Sequence, residues 1–210
     1  MTVFPLLFLV AVASYLLGAI PFGYLVARWC GHDIRREGSG NIGATNVARV
    51  LGLRWGLLVF ALDFGKGALP VALARLLPPP GDGELLPDTL PVLAGIAAFV
   101  GHLVPIYLRF RGGKGVATGC GAIAVLLPVH ALIVLLAWGL VLALTRYVAV
   151  ASITAATLLF VLRLSFTPEP WSNDHVVVTT FCAAGALLVL VRHHSNLRRL
   201  RQGTEPRLGR

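Results

Sequence analysis

The stretch GVATGCGAIAVLLPVHALIVLLAWGLVLALT (115–145) runs for about 30 residues almost without a polar break. A membrane span needs roughly 20 apolar residues, so this run is too long for one helix. Divided between Pro128 and His130 it supplies two short ones, 115–129 and 130–145. Working outward, further apolar segments lie at 3–27, 52–77, 91–108, 148–164 and 175–192. The total is then seven spans, an odd number, which places the two termini on opposite sides of the bilayer. The prediction is an all-α membrane protein of seven transmembrane helices, with residues 1–210 forming a single integral-membrane domain.

Composition agrees with a bilayer as the solvent. Of the 210 residues 57% are hydrophobic and only 13% charged, outside ordinary soluble usage. The N-terminal MTVFPLLFLVAVASYLLGAIPFGYLVAR (1–28) has no basic n-region, and its apolar run exceeds a signal h-region, so it reads as a retained span. Cys30, Cys120 and Cys182 are far apart and lack C-x-x-C spacing, which makes them packing residues rather than a disulfide framework or a metal site.

The charge balance is basic, 18 Lys and Arg against 9 Asp and Glu. In a membrane protein the first reading of such an excess is topological, and an anionic substrate is the second. With the N-terminus extracytoplasmic, the cytoplasmic side receives Arg28, Arg35, Arg36, Arg49, Arg54, Arg109, Arg111, Lys114, Arg146 and the arginines from Arg192 to Arg210. The outer side keeps Arg75 and Arg163. That asymmetry predicts an extracytoplasmic N-terminus and a cytoplasmic C-terminus. The outer connector PPPGDGELLPDTLP (78–91) carries Asp82, Glu84 and Asp88 and no recognisable chemistry.

Two polar, glycine-rich islands interrupt this apolar chain on the cytoplasmic face, GSGNIGATNVAR (38–49) and RFRGGKGVATG (109–119). Glycine lets successive backbone N–H groups converge and approach a ligand, which makes anion sites where a helix follows. Each island precedes a predicted span and adds polar groups with fixed cations. The first has Ser39, Asn41, Thr45, Asn46 and Arg49, and the second has Arg109, Arg111, Lys114 and Thr118. That inventory suits phosphate. Helix packing by small residues is the competing reading, and it holds for isolated positions such as Gly18, Gly139, Ser152 and Gly185. No nucleotide loop is present, because Lys66 and Lys114 are each followed by glycine where a hydroxyl would hold magnesium.

Ionisable residues inside spans form a third set. Lys66 stands three positions after Asp63, and the pair reads equally as a functional intramembrane charge or as a neutralising bridge. His102, near the middle of the third predicted span, is an interhelical hydrogen-bonder before it is a catalyst. His193 and Asn196, three apart at the end of the last span, share a helical face toward the loops. No Ser-His-Asp order, G-x-S-x-G, H-E-x-x-H or paired carboxylates occur in these islands. The residues describe a cytoplasmic-face site for phosphorylated substrates with no evident protein nucleophile, metal or cofactor.

With these motifs in place the chain resembles the integral-membrane acyl-phosphate:glycerol-3-phosphate acyltransferases of bacteria. The resemblance rests on GSGNIGATNVAR (38–49), DFGKG (63–67), GHLVPIYLRFRGGKGVATG (101–119) and RHHSNLRRLRQGTE (192–205). The H-x-x-x-x-D motif of the soluble-domain acyltransferases is absent, since Tyr107 stands five residues after His102.

The resemblance implies seven helices in the bacterial inner membrane, an active site facing the cytosol, and transfer of a fatty acyl group from acyl phosphate to the sn-1 hydroxyl of glycerol 3-phosphate. The products are lysophosphatidic acid and phosphate, at the first acylation of phospholipid synthesis. It implies that Ser39, Arg49, Lys114, His193 and Asn196 hold glycerol 3-phosphate. Gly40, Asn41, Gly43, Thr45, Asn46, Gly112, Gly113, Gly115 and Thr118 line the substrate phosphates, with Lys66 and His102 as further substrate contacts. Expected partners are the two small substrates, membrane lipids and an enzyme that makes the acyl phosphate, with no nucleic acid. Direct attack by the glycerol hydroxyl, a substrate phosphate oxygen taking the proton, is the leading mechanism. His102 or His193 as general base competes with it. An organic-phosphate transporter is the alternative function, and a structural scaffold, which leaves the cation-bearing loops unexplained, ranks last.

Overall fold

The computed structural model of the chain describes residues 3–78 and 85–208, and the regular elements in them are all helical. Residues 79–84 of the proline-rich connector, Asp82 and Glu84 among them, lie outside the described residues. Contacts divide the chain into two compact units, Met1–Leu126 and Leu127–Arg210.

The first unit contains α1 (Val3–Ala19), α2 (Phe22–Trp29), α3 (Ala44–Leu51), α4 (Leu53–Arg75), α5 (Thr89–Leu103), a 3₁₀ turn (Ile106–Leu108) and α6 (Val116–Leu126). Pro21 separates α1 from α2, because proline lacks the N–H a helix needs and disfavours helical backbone at the residue before it. In a bilayer the apolar lipid gives helices little reason to associate, so close backbone approach at small residues has to do it. Gly18 and Gly101 let α1 and α5 touch through Ala98 and through the Tyr15 and Ala19 backbone. Gly67 and Gly121 do the same for α4 and α6, each lying on a backbone carbonyl of the other helix, those of Thr118 and Phe64. A separate apolar cluster of Val26, Ala27, Ile34, Ile42, Val47, Val59 and Leu108 supports the first glycine island from below.

The second unit contains α7 (Pro128–Thr145), α8 (Val148–Phe166), α9 (Val176–Arg192) and α10 (His194–Arg201), with a 50° bend between the last two. One face of α7 stays uncovered, with Leu136, Leu140 and Leu144 at 65%, 61% and 76% exposure. A helix that is apolar all round and exposed on one stripe of leucines is suited to lipid rather than water. Arg163 is buried in this unit and satisfied internally. Its Nε donates to Thr179 Oγ1 at 3.1 Å and its terminal nitrogen to the His175 carbonyl at 3.2 Å. The C-terminal segment folds back, the Leu208 N–H donating to the Arg146 carbonyl at 2.8 Å and Arg207 Nε to the Tyr147 hydroxyl at 3.1 Å.

Five segments are long and apolar enough to cross a bilayer: Val3–Trp29, Leu53–Arg75, Thr89–Leu108, Pro128–Thr145 and Val148–Phe166. The bent pair Val176–Arg192 and His194–Arg201 makes a sixth if taken as one span. The divided reading of 115–145 holds, with the break at Leu127, whose φ of −137° leaves the helical region ahead of Pro128. The first half is shorter than predicted. As an 11-residue helix α6 extends about 16 Å, against the ~30 Å of a hydrocarbon core. Three further corrections concern the site. The first island leads into α3, an 8-residue helix, rather than directly into a span, and the left-handed Gly52 (φ 95°) then turns the chain into α4. The second island leads into the short α6 rather than a full span. His102 lies in the last turn of α5 rather than mid-span.

Candidate active site

The first island is a loop tied by one side chain. Asn46, 1% exposed, accepts the Ser39 N–H on Oδ1 at 2.8 Å and donates Nδ2 to the carbonyls of Ile34 and Glu37 at 3.2 and 3.0 Å. Gly38 and Gly40 turn with φ of 58° and 70°, and a side chain on Gly38 would collide with that same Asn46 oxygen. Asn41 Oδ1 accepts the Gly43 N–H at 2.8 Å, closing a turn immediately before α3. No side chain caps α3 from its N-cap residue, Gly43, so its first N–H groups face the loop. Ser39 is exposed, Asn41 and Thr45 are half-buried around that helix start, and Arg49 is half-buried in the last turn of the same helix. Among the described residues no carboxylate lies within ion-pair distance of Arg49. The Asn46 amide thus ties the loop together through three backbone partners.

The approach to this loop carries an ion pair of its own. Arg35 binds Asp33 through Nε and its terminal nitrogen, both at 2.9 Å, and lies 4.6 Å over the Tyr24 ring. Hydrogen bonding from the Arg35 guanidinium holds the Asp33 carboxyl down at about 2. Because that value lies below the ordinary 3.8, the pairing contributes in full above the ordinary value and is lost as pH falls through about 2. A carbon-13 carboxyl titration of labelled aspartate should place one midpoint there. A lowest midpoint near 4 would mean the pair does not form in solution.

The second island is laid on α5. Arg109 and Phe110 both take left-handed backbone, φ 51° and 63°, an uncommon conformation for residues with side chains. The turn is held by the Phe110 N–H on the Pro105 carbonyl at 2.9 Å and the Gly113 N–H on the His102 carbonyl at 3.1 Å. Gly112 lies against the His102 and Leu103 carbonyls, Gly113 against the His102 ring, and Gly115, with φ 79°, against the Phe99 ring. Glycine is required at 113 by the protein's own imidazole, before any ligand is considered. Lys114 is half-buried between these glycines. Thr118 is fully buried at the contact of α4 with α6, where its carbonyl lies against Gly67.

Asp63, Lys66 and His102 come together beneath, at 2%, 3% and 4% exposure. Lys66 Nζ is 2.8 Å from Asp63 Oδ1, donates to the Ile20 carbonyl at 2.8 Å and lies 5.7 Å over the Phe22 ring. Its ammonium is thus engaged by Asp63 and the Ile20 carbonyl, the arrangement of a neutralising bridge.

The second unit holds the remaining residues. His193 is buried at the junction of α9 and α10, where its Nδ1 donates to the Val189 carbonyl at 2.8 Å. A carbonyl only accepts, so the proton of the neutral ring sits on Nδ1 and Nε2 is the basic nitrogen. Asn196, 6% exposed, donates Nδ2 to Glu205 Oε1 at 2.6 Å, and Glu205 also accepts Arg199 Nε at 2.7 Å. Glu205 lies inside the C-terminal motif, yet sequence reasoning gave it no duty. Its distance of nine residues from Asn196 conceals a contact made by the returning chain.

These features define a class: a multi-pass membrane protein, helical throughout its described regular elements, with two cation-bearing glycine loops. The chain belongs to the glycerol-3-phosphate acyltransferase family, whose model matches residues 8–203. Curated glycerol-3-phosphate acyltransferases are similar throughout. That of Synechococcus elongatus is 46% identical over 204 residues, covering 95% of this chain and 93% of the relative. That of Geotalea daltonii is 42% identical over 194 residues, covering 92% and 93%. Among solved structures, PlsY (YgiH), an integral membrane glycerol 3-phosphate acyltransferase, matches in its glycerol 3-phosphate form with a TM-score of 0.85. There it is 36% identical and covers 97% of this chain and 96% of that one. Its lysophosphatidic acid form matches with a TM-score of 0.83 at 35% identity, covering 97% and 95%.

Proposed function

We propose that this protein transfers a fatty acyl group from acyl phosphate to the sn-1 hydroxyl of glycerol 3-phosphate, in the bacterial inner membrane and at a site facing the cytosol. The observation that carries the reading is the full-length match to an enzyme solved with glycerol 3-phosphate. The two glycine loops with their fixed cations lie within that match. In our reading the chain crosses the membrane seven times as one functional domain, the short α6 included, with the N-terminus outside. The cations at Arg28, Arg35, Arg36, Arg49 and Lys114 support that orientation by the positive-inside tendency.

As the resemblance of their motifs implies, Ser39, Arg49, Lys114, His193 and Asn196 are assigned to glycerol 3-phosphate. The two glycine loops, at Gly40, Asn41, Gly43 and Thr45 and at Gly112, Gly113 and Gly115, are assigned to lining the substrate phosphates, with the N–H groups of Gly40, Gly43 and Gly113 holding the loops' own shape. An acyl phosphate is a mixed anhydride with a good leaving group, so orientation and charge stabilisation do most of the work. The glycerol hydroxyl oxygen attacks the acyl carbon and forms the ester bond. The bond from acyl carbon to bridging oxygen breaks, and phosphate leaves with the electron pair. The hydroxyl proton passes to a substrate phosphate oxygen, so no acyl-enzyme and no cofactor is involved. A soluble or peripheral enzyme that makes the acyl phosphate is the corresponding partner.

The test offers purified protein labelled glycerol 3-phosphate with palmitoyl phosphate, palmitoyl-CoA or palmitoyl carrier protein in turn. The expected outcome is lysophosphatidic acid from palmitoyl phosphate alone. Product from a thioester instead would replace the donor, and no product from folded protein would turn the reading to transport of organic phosphates.

A further inference from the structure

Asp63 has no duty in the scheme above, although a buried carboxylate is costly in a membrane span. Neutralising Lys66 would account for it if the carboxylate touched nothing else. It does more: the Oδ1 that lies 2.8 Å from Lys66 Nζ is also 3.8 Å from His102 Nδ1, longer than a hydrogen bond, so its hold on the ring is electrostatic attraction between two buried groups. The opposite edge of that imidazole faces the second glycine loop. A side-chain carbon on Gly113 would fall within contact of Nε2 and at 3.0 and 3.1 Å from Cε1 and Cδ2. The His102 carbonyl receives the Gly113 N–H at 3.1 Å, so ring and backbone of one residue both bear on the loop. On the other side, Lys66 anchors to the Ile20 carbonyl at the break between α1 and α2.

We propose that Asp63 is a positioning residue for acyl transfer: clamped by Lys66, its carboxylate orients the His102 ring, and that ring sets where the Gly112–Gly113 backbone, and hence Lys114, stands. A carboxylate behind an imidazole fixes ring orientation in metal sites and catalytic triads alike, and here the oriented ring faces a loop instead of a metal or a serine. His102 is then a positioning residue too, and neither it nor Lys66 needs to touch substrate. The proposal rests on the reading of the Lys114 loop as a substrate-phosphate site.

Two double variants of the full chain separate positioning from neutralisation. Asp63→Leu with Lys66→Met removes the pair without leaving a lone buried charge, a replacement proteins often tolerate. Asp63→Asn with Lys66→Met keeps a polar group for His102. Thermal stability, KM for glycerol 3-phosphate and amide exchange at 111–115 are measured on both. Expected for the Leu/Met protein are a melting temperature near the parent's, a KM raised about tenfold and faster exchange at Gly113, with most of the KM recovered in the Asn/Met protein. Parental KM and exchange in a folded Leu/Met protein would overturn the proposal.

Should Leu/Met fail to fold, His102→Phe decides, since it keeps a ring under Gly113 and leaves the Asp63–Lys66 pair intact. A raised KM with faster exchange supports positioning, and parental values for both overturn it. Lys114→Ala, run alongside, isolates the underlying reading. An unchanged KM there would remove the phosphate assignment, while the exchange data would still report whether Asp63 governs the loop.

Discussion

Alanine at Arg49 or at Lys114 is expected to lower kcat/KM for glycerol 3-phosphate by about ten- to a hundredfold. Each substitution removes one charge-assisted contact to a phosphate oxygen, a contact of about 1.5–3 kcal/mol. Arg49 belongs to the last turn of α3 and Lys114 to the loop before α6, so the two cations are supplied by separate elements. Lysine at 49 should recover part of the loss, because it restores charge but not the planar fork that grips two oxygens at once. Steady-state assays over a range of glycerol 3-phosphate, in protein whose melting temperature is unchanged, make the measurement. Parental kinetics in both alanine variants would withdraw these residues from the site.

The second large effect is expected at a residue that need never meet substrate. Asn46→Ala takes away one acceptor and two donors at a position 1% exposed, leaving the Ser39 N–H and the carbonyls of Ile34 and Glu37 without their partner. Leaving buried backbone groups unsatisfied costs about 1–3 kcal/mol each, and the loop should relax before the whole cost is realised. Both stability and turnover should fall, turnover by about a hundredfold or more, because Ser39 and the start of α3 lose their placement. Asn46→Asp should fare little better, since a carboxylate faces two carbonyl oxygens with nothing to donate. Turnover near the parent's in Asn46→Ala, measured with circular dichroism as a control for folding, would return Asn46 to an incidental role.

Asn46 also illustrates where reading the chain as text succeeds and where it stops. The long apolar helices were legible because apolar length is a property of local sequence, and a break beside Pro128 was expected, although it falls at Leu127 rather than between 129 and 130. The extent of α6 was not legible. The predicted range 115–129 loses Gly115, whose backbone lies against the Phe99 ring of α5 with a φ of 79°, and everything from Leu127 on, where the chain breaks and α7 begins at Pro128. The same limit applies to function. Amides and hydroxyls in a glycine loop look alike in sequence whether they are exposed, as Ser39 is, or turned to the loop's own carbonyls, as Asn46 is. The Asp63–Lys66 bridge was visible in i,i+3 spacing, whereas His102 joins it only because α5 packs beside α4.

The bridge also bears on how the protein is made. A charged residue at the centre of a span opposes entry into the bilayer by roughly 2.5–3.5 kcal/mol. Asp63 and Lys66 are both on α4, so the helix carries its own counter-ion and can be neutral as it leaves the insertion machinery, before any neighbouring helix has arrived. His102 and the Ile20 carbonyl belong to other helices and join the pair only at assembly. A chain stripped of one charge alone therefore meets its difficulty first at the moment of insertion, before the lone charge is also felt in the finished fold.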